Sequence, residues 1–152
     1  TNPYTGILSI FSTRILNNNS INVFEDGEES RDFVYIDDVI DATVLAIQKD
    51  IKNNIALNVG SGVSTTVKYL ADSLKKLYDS DIEINISGDY RIGDIRHNKA
   101  DIDKVKEVLG FSPKTSFEVG LRNFVNWVKE QEIQSDNYEK SITEMKKKGL
   151  MK

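Results

Sequence analysis

A mixed α/β fold, a small sheet with several helices around it, is the class this 152-residue sequence predicts. Short apolar runs bounded by Asn, Asp and Gly alternate with longer stretches in which apolar residues recur three and four apart. Strands alternate with helices too seldom for a complete doubly wound domain with a covered parallel sheet. The length suits one domain with a real core, here residues 1–133, followed by a Lys-rich tail, 134–152.

The elements follow in order. Tyr4, Ile7, Leu8, Phe11 and Ile15 give a helical stripe over about 4–17, ended by Asn17-Asn18-Asn19. Ile21 to Phe24 predicts a strand closed by Asp26-Gly27, and Phe33 to Ile36 a second. Asp37 or Asp38 caps the next helix, whose inward face is expected to be Val39, Thr43, Ala46 and Ile47. Ile55 to Val59 is β-like, and Gly60-Ser61-Gly62 turns the chain into a strongly amphipathic helix from Ser64 or Thr65 to about Asp79. Glu83 to Ser87 alternates as a half-buried strand. A short helix with Ile102, Val105, Val108 and Leu109 inward ends at Gly110, and a capping box at Thr115 to Glu118 opens a helix to about Gln131. Beyond Gln134 amphipathic order fades, and a frayed tail is expected.

Composition narrows the function. A net charge of −4 with 29% charged residues offers no broad basic face, which argues against a sequence-independent nucleic-acid binder. With no cysteine and only His97, neither a disulfide framework nor a zinc cluster can form. No apolar run reaches the roughly 20 residues of a membrane span, and Thr1-Asn2-Pro3-Tyr4 is not a signal peptide, so no membrane partner and a cytoplasmic location are expected.

Three of the five arginines fall in Ser30-Arg31-Asp32-Phe33-Val34-Tyr35-Ile36-Asp37-Asp38 and Arg91-Ile92-Gly93-Asp94-Ile95-Arg96-His97. Positive charge elsewhere is mostly lysine, so the planar five-donor side chain here points to a local grip on phosphate or carboxylate. Alone, Arg31 with Asp32 reads equally as a surface ion pair. Gly60-Ser61-Gly62 imitates a dinucleotide loop, but Thr65 stands where the third glycine belongs, so it is read as a plain turn. A Tyr-x-x-x-Lys pair, a Walker loop, G-x-S-x-G and H-E-x-x-H are all missing, so no catalytic set is present in this stretch.

Together Asn2-Pro3-Tyr4-Thr5-Gly6, Phe24-Glu25-Asp26-Gly27, the two arginine segments, Asn58-Val59-Gly60-Ser61-Gly62 and Leu109-Gly110-Phe111-Ser112-Pro113 resemble the C-terminal half of NAD-dependent nucleotide-sugar epimerases and dehydratases, extended short-chain dehydrogenases/reductases. The likeness covers about residues 1–130. It implies the substrate-binding lobe of such an enzyme with its Rossmann core missing. NAD and the catalytic Tyr-x-x-x-Lys would then sit on that N-terminal domain, with no catalytic, cofactor or metal residue here. It implies that Arg31 and Arg91 hold a substrate diphosphate and that Val23 and Phe24 lie against the base. Asp94 falls near the ribose, Asn2 to Ile7 line the cleft, and Arg96 and His97 support it. The preferred activity is a 4-epimerase on a nucleoside-diphosphate sugar, with thymidine-diphosphate sugars favoured. A dehydratase or reductase of the same family, or a non-catalytic interaction module keeping the fold, are the alternatives. Surfaces facing the missing domain imply self-association of this stretch.

Overall fold

The computed structural model describes residues 6–51 and 54–152. The chain forms two compact units, one of residues 1–29, 66–96 and 124–152, the other of residues 30–65 and 97–123.

In the first unit, helix α1 (Ile7–Leu16) and strand β1 (Ile21–Val23) pack with helix α3 (Val67–Leu77), and β1 pairs in parallel with β4 (Ile84–Ile86) in the register Ile21 to Ile84. Parallel partners need a crossover, and the chain between them contains α3. Thr66 caps α3, its hydroxyl accepting from Tyr69 N at 3.2 Å. The predicted stripe of that helix is the core: Leu70, Ala71 and Leu74 have no exposed surface, alongside Phe11, Ile15, Ile21 and Val23. Each buried Leu or Ile of this set contributes on the order of 2 kcal/mol.

The expected tail is structured. Helix α6 (Tyr138–Lys147) follows an extended link and ends at Gly149, whose φ of +68° suits a residue without Cβ. Leu150 N closes the turn on Met145 O at 2.9 Å. Tyr138, Ser141, Ile142 and Met145 are half-buried, spaced three and four apart. Arg14, with 5% of its side chain exposed, clamps the link and the helix start: Nη1 donates to Asp136 at 3.3 Å and Glu139 at 3.2 Å, and the guanidinium stands 4.2 Å from the Tyr138 ring centre. Asn17 and Asn19 add bonds to Gln134 O and Asp136.

The second unit contains β2 (Ser30–Arg31), helix α2 (Ile36–Gln48), Thr65 of the short β3 (Thr65–Thr66), helix α4 (Asp103–Leu109) and the first turns of helix α5 (Phe117–Lys129). Its core is Ala42, Val105, Leu109 and Phe111, flanked by Leu45, Leu57, Val59 and Ile102. Gly110, at φ +72°, caps α4 as expected.

Four expectations fail in this unit. Phe33 to Ile36 is not a strand: Phe33 meets the Phe117 ring at 5.5 Å, Tyr35 packs on Gly120, and Tyr35 is the residue before α2. The β-favouring side chains find their partners on a helix, and tertiary packing overrides propensity. Ile55 to Val59 likewise pairs with no strand among the described residues. The face of α2 is rotated from prediction, with Asp38, Ala42 and Leu45 inward and Ile47 79% exposed. Asp38 caps α5's entry rather than its own helix, accepting from Lys114 N at 2.9 Å and Thr115 N at 3.1 Å. Ile36, Ile40, Val44 and Ile47 form an exposed apolar stripe as a result.

Candidate functional site

Ser30 to Asp38 lies in the second unit, and Arg91 to Arg96 in the first. In the first unit Arg91 follows β4, in a loop bounded by Gly88 and Gly93, both with left-handed φ (+73° and +82°). The backbone of this loop pairs with the chain's last residues: Tyr90 N donates to Lys152 O at 2.7 Å, Lys152 N to Tyr90 O at 3.0 Å, and Ile92 N to Leu150 O at 3.0 Å. Met151, opposite Arg91, is 4% exposed.

The Arg91 guanidinium lies 5.4 Å from the ring centre of Phe24, the residue after β1. Its Nε is buried without a hydrogen-bond partner, and no ion pair of Arg91 forms among the described residues. A desolvated, uncompensated donor of this kind costs about 1–3 kcal/mol. Arg96, by contrast, is fully engaged with Glu25 and Asp26, the latter at 2.6 Å. Its hydrogen bond and a backbone bond from Glu28 hold the Asp26 carboxyl below its ordinary value of 3.8, and Arg96 is pushed up in return. Arg96 therefore ties the loop to the turn after β1.

Of the other residues expected near a ligand in this unit, Val23 has no exposed surface and contributes packing, with its backbone on the β1–β4 ladder. Asp94 is exposed, its Oδ1 accepting from Ile95 N at 2.9 Å. Ile7 is the half-buried first residue of α1, and Asn2 lies outside the described residues. A cleft of about 500 Å³ separates the Arg91 to Asp94 loop from α6, with Ser141, Glu144, Met145 and Lys148 on the helical side.

In the second unit Arg31 is half-buried, and its Nη1 donates to Ser30 O at 2.9 Å. The neighbouring Asp32 is not Arg31's ion-pair partner but a hub. Oδ1 accepts from Ser61 N at 2.7 Å and Ser61 Oγ at 2.6 Å, and Oδ2 from Gly62 N at 2.9 Å and Ala100 N at 3.1 Å. Burial opposes the charge, yet these four donors hold the carboxyl below 3.8. The approach is close enough that a methyl group on Gly60 would stand 2.4 Å from Ala100 Cβ and 2.9 Å from Asp32 Oδ2. Ser64 Oγ donates to Ser30 Oγ at 2.7 Å, which is 3.0 Å from His97 Nδ1, while Asn98 N bonds Ser30 O. His97 is thereby a positioned loop residue.

The Gly60-Ser61-Gly62 turn shows why its sequence misleads. Its amide donors point into one concavity, as in a phosphate-binding nest, but Asp32 already fills it. No phosphate could displace a covalently tethered carboxylate there without leaving it unpaired. Asp32 as hub and Tyr138 with Met151 as tail anchors escaped sequence reasoning. Tyr138, Ile142 and Met145 at helical spacing before Gly149 were the available signal for α6. Nothing local marks Asp32, because its partners lie about thirty and seventy residues away. Among the described residues no three side chains group as metal ligands, and no helix is long and apolar enough to cross a membrane.

Residues 1–60 match the model of the NAD dependent epimerase/dehydratase family. The dTDP-L-rhamnose 4-epimerase of Burkholderia thailandensis is 34% identical over 131 residues, which cover 86% of this chain and 36% of that enzyme. The crystal structure of UDP-glucose 4-epimerase from Thermotoga maritima with UDP-glucose superposes with a TM-score of 0.76 at 39% identity, over 85% of this chain and 41% of that one. UDP-N-acetylglucosamine 4-epimerase from Methanobrevibacter ruminantium, in complex with UDP-N-acetylmuramic acid, gives 0.78 at 34% identity over 87% and 42%. The chain thus spans less than half the length of these relatives. On this evidence it belongs to the NAD-dependent epimerase/dehydratase family of extended short-chain dehydrogenases/reductases.

Proposed function

We propose that this chain is the C-terminal, substrate-binding part of an NAD-dependent nucleotide-sugar 4-epimerase, and that it grips the nucleoside diphosphate of the sugar donor. The observation that carries the reading is the half-buried Arg91 guanidinium, held over Phe24 and in no ion pair among the described residues. A diphosphate would meet this guanidinium with charged acceptors, and each charge-assisted contact is worth roughly 1.5–3 kcal/mol. The Phe24 face would stack on or border the base. In this reading Arg31 supplies the second fork, and Asp94 reaches the ribose.

The glycine-rich turn at 60–62 has its donors occupied by Asp32, so no cradle for a dinucleotide phosphate is available there. Cofactor and hydride chemistry belong in this reading to an N-terminal Rossmann domain. The exposed stripe Ile36, Ile40, Val44 and Ile47 supports a surface made to be covered by such a domain.

A non-catalytic interaction module is the competing reading, and it requires the arginines to be spent in internal pairs. Arg14 and Arg96 are spent in that way, but Arg91 is not. Titration with UDP and dTDP in moderate salt tests the choice. Saturable binding weakened at least tenfold in both Arg31→Ala and Arg91→Ala is expected. Binding indifferent to Arg91→Ala would overturn the proposal.

A further inference from the structure

Arg91 sits in a loop of irregular backbone whose far end is tied by Arg96 to Glu25 and Asp26. Residues 88–96 form no helix and no named strand, with left-handed glycines at 88 and 93. An arginine side chain in such a segment would lose much conformational freedom on meeting an anion, and that loss subtracts from affinity. The chain's last residues remove the backbone part of it. Leu150 and Lys152 satisfy the backbone groups of Tyr90 and Ile92, and Met151 is buried opposite Arg91. The tail itself is anchored upstream, by Arg14 on Asp136 and by Lys146 on Asp89 at 3.1 Å. The cleft of about 500 Å³ separates α6 from residues 91–94 of the loop, so the contact there is the backbone pairing with residues 150–152.

Resting on the diphosphate reading above, we infer that residues 149–152 are a positioning strap. They fix the Arg91 backbone so that its guanidinium, braced on Phe24, meets the diphosphate already oriented. Met151 is the plug of the strap and touches no ligand. Preorganisation of this kind improves affinity without adding a ligand contact.

The test uses the 152-residue chain and three variants, Met151→Asp, Met151→Leu and Arg91→Ala, together with the Arg91→Ala/Met151→Asp double variant. Hydrogen exchange is read at the amides of Glu25 and Asp94, which bond to the carbonyls of Asp89 and Arg91 and not to the strap. Met151→Asp is expected to speed both at least tenfold and to weaken UDP binding about tenfold, with Met151→Leu restoring both. Far-ultraviolet circular dichroism of each variant checks that the fold is kept. The double variant is expected to bind UDP no more weakly than Arg91→Ala alone, because both changes disable one contact. Additive losses, or unchanged exchange and affinity in Met151→Asp, overturn the strap. Unchanged affinity in Arg91→Ala overturns the diphosphate reading instead, and exchange at Glu25 and Asp94 then still decides whether residues 149–152 hold the loop.

Discussion

Replacing Arg14 by alanine is the sharpest probe of how the C-terminal segment is held. Arg14 exposes 5% of its side chain and Asp136 10%, so their bond is a buried ion pair, whereas Glu139 is 74% exposed and its bond is worth little. Removing one member of a buried pair costs about 3–5 kcal/mol, because the other charge is left desolvated. Asp136 keeps two donors in the variant, Asn19 Nδ2 at 2.8 Å and Tyr138 N at 2.9 Å, which places the expectation at the lower end, about 3 kcal/mol. The lost stacking of the guanidinium on Tyr138 adds about 1 kcal/mol. For a chain of this size such a change lowers the melting temperature by roughly 8–16 °C if unfolding is a single transition. If the segment detaches alone, the same energy appears as faster amide exchange in α6 with the main transition unmoved. Urea melts and amide exchange of Arg14→Ala, with Arg14→Lys beside it, separate these cases. A combined loss below about 1 kcal/mol would refute the account, since it would put the pair in the class of exposed bridges.

Two further outcomes follow from the second unit. Asp32 has a lowered carboxyl pKa in the folded chain, so its stabilisation is complete above the unfolded value near 3.8 and disappears as pH falls through the folded value. Asp32→Asn should cost about 2 kcal/mol at neutral pH and flatten the acid limb of the stability profile below pH 4, and an unchanged limb in chemical denaturation would count against the hub. The stripe on α2 should make the isolated chain self-associate, with a weight-average mass that rises with concentration in analytical ultracentrifugation. Ile40→Glu with Ile47→Glu should return it to a monomer, and a concentration-independent monomer of the parent chain contradicts the expectation.

The strongly periodic parts were legible. α3 and its buried stripe, the β1 and β4 strands, and the Gly110 stop all follow from local spacing and turn chemistry. The mistaken strand at Phe33 to Ile36 and the rotated face of α2 share a cause. In both, the deciding partners are distant, Phe117 and Gly120 for the first and the α4 core for the second. The arginine segments stood out in the sequence because residue type alone is informative there. Which of those arginines is already committed was not legible, since Arg96's acidic partners lie some seventy residues upstream. Asp32 was paired in the sequence with its neighbour Arg31, when three-dimensional proximity gives it backbone amides instead. The helix at 138–147 was overlooked because its abundant lysines mask a once-per-turn pattern of Tyr138, Ile142 and Met145.

The burial of Met151, one position before Lys152, bears on how the protein can be handled. An affinity tag or fluorescent fusion joined after Lys152 would begin immediately beyond a backbone-paired residue, tugging on the segment that faces Arg91. Preparations compared for ligand uptake should therefore carry the same residues after Met151, verified by intact mass.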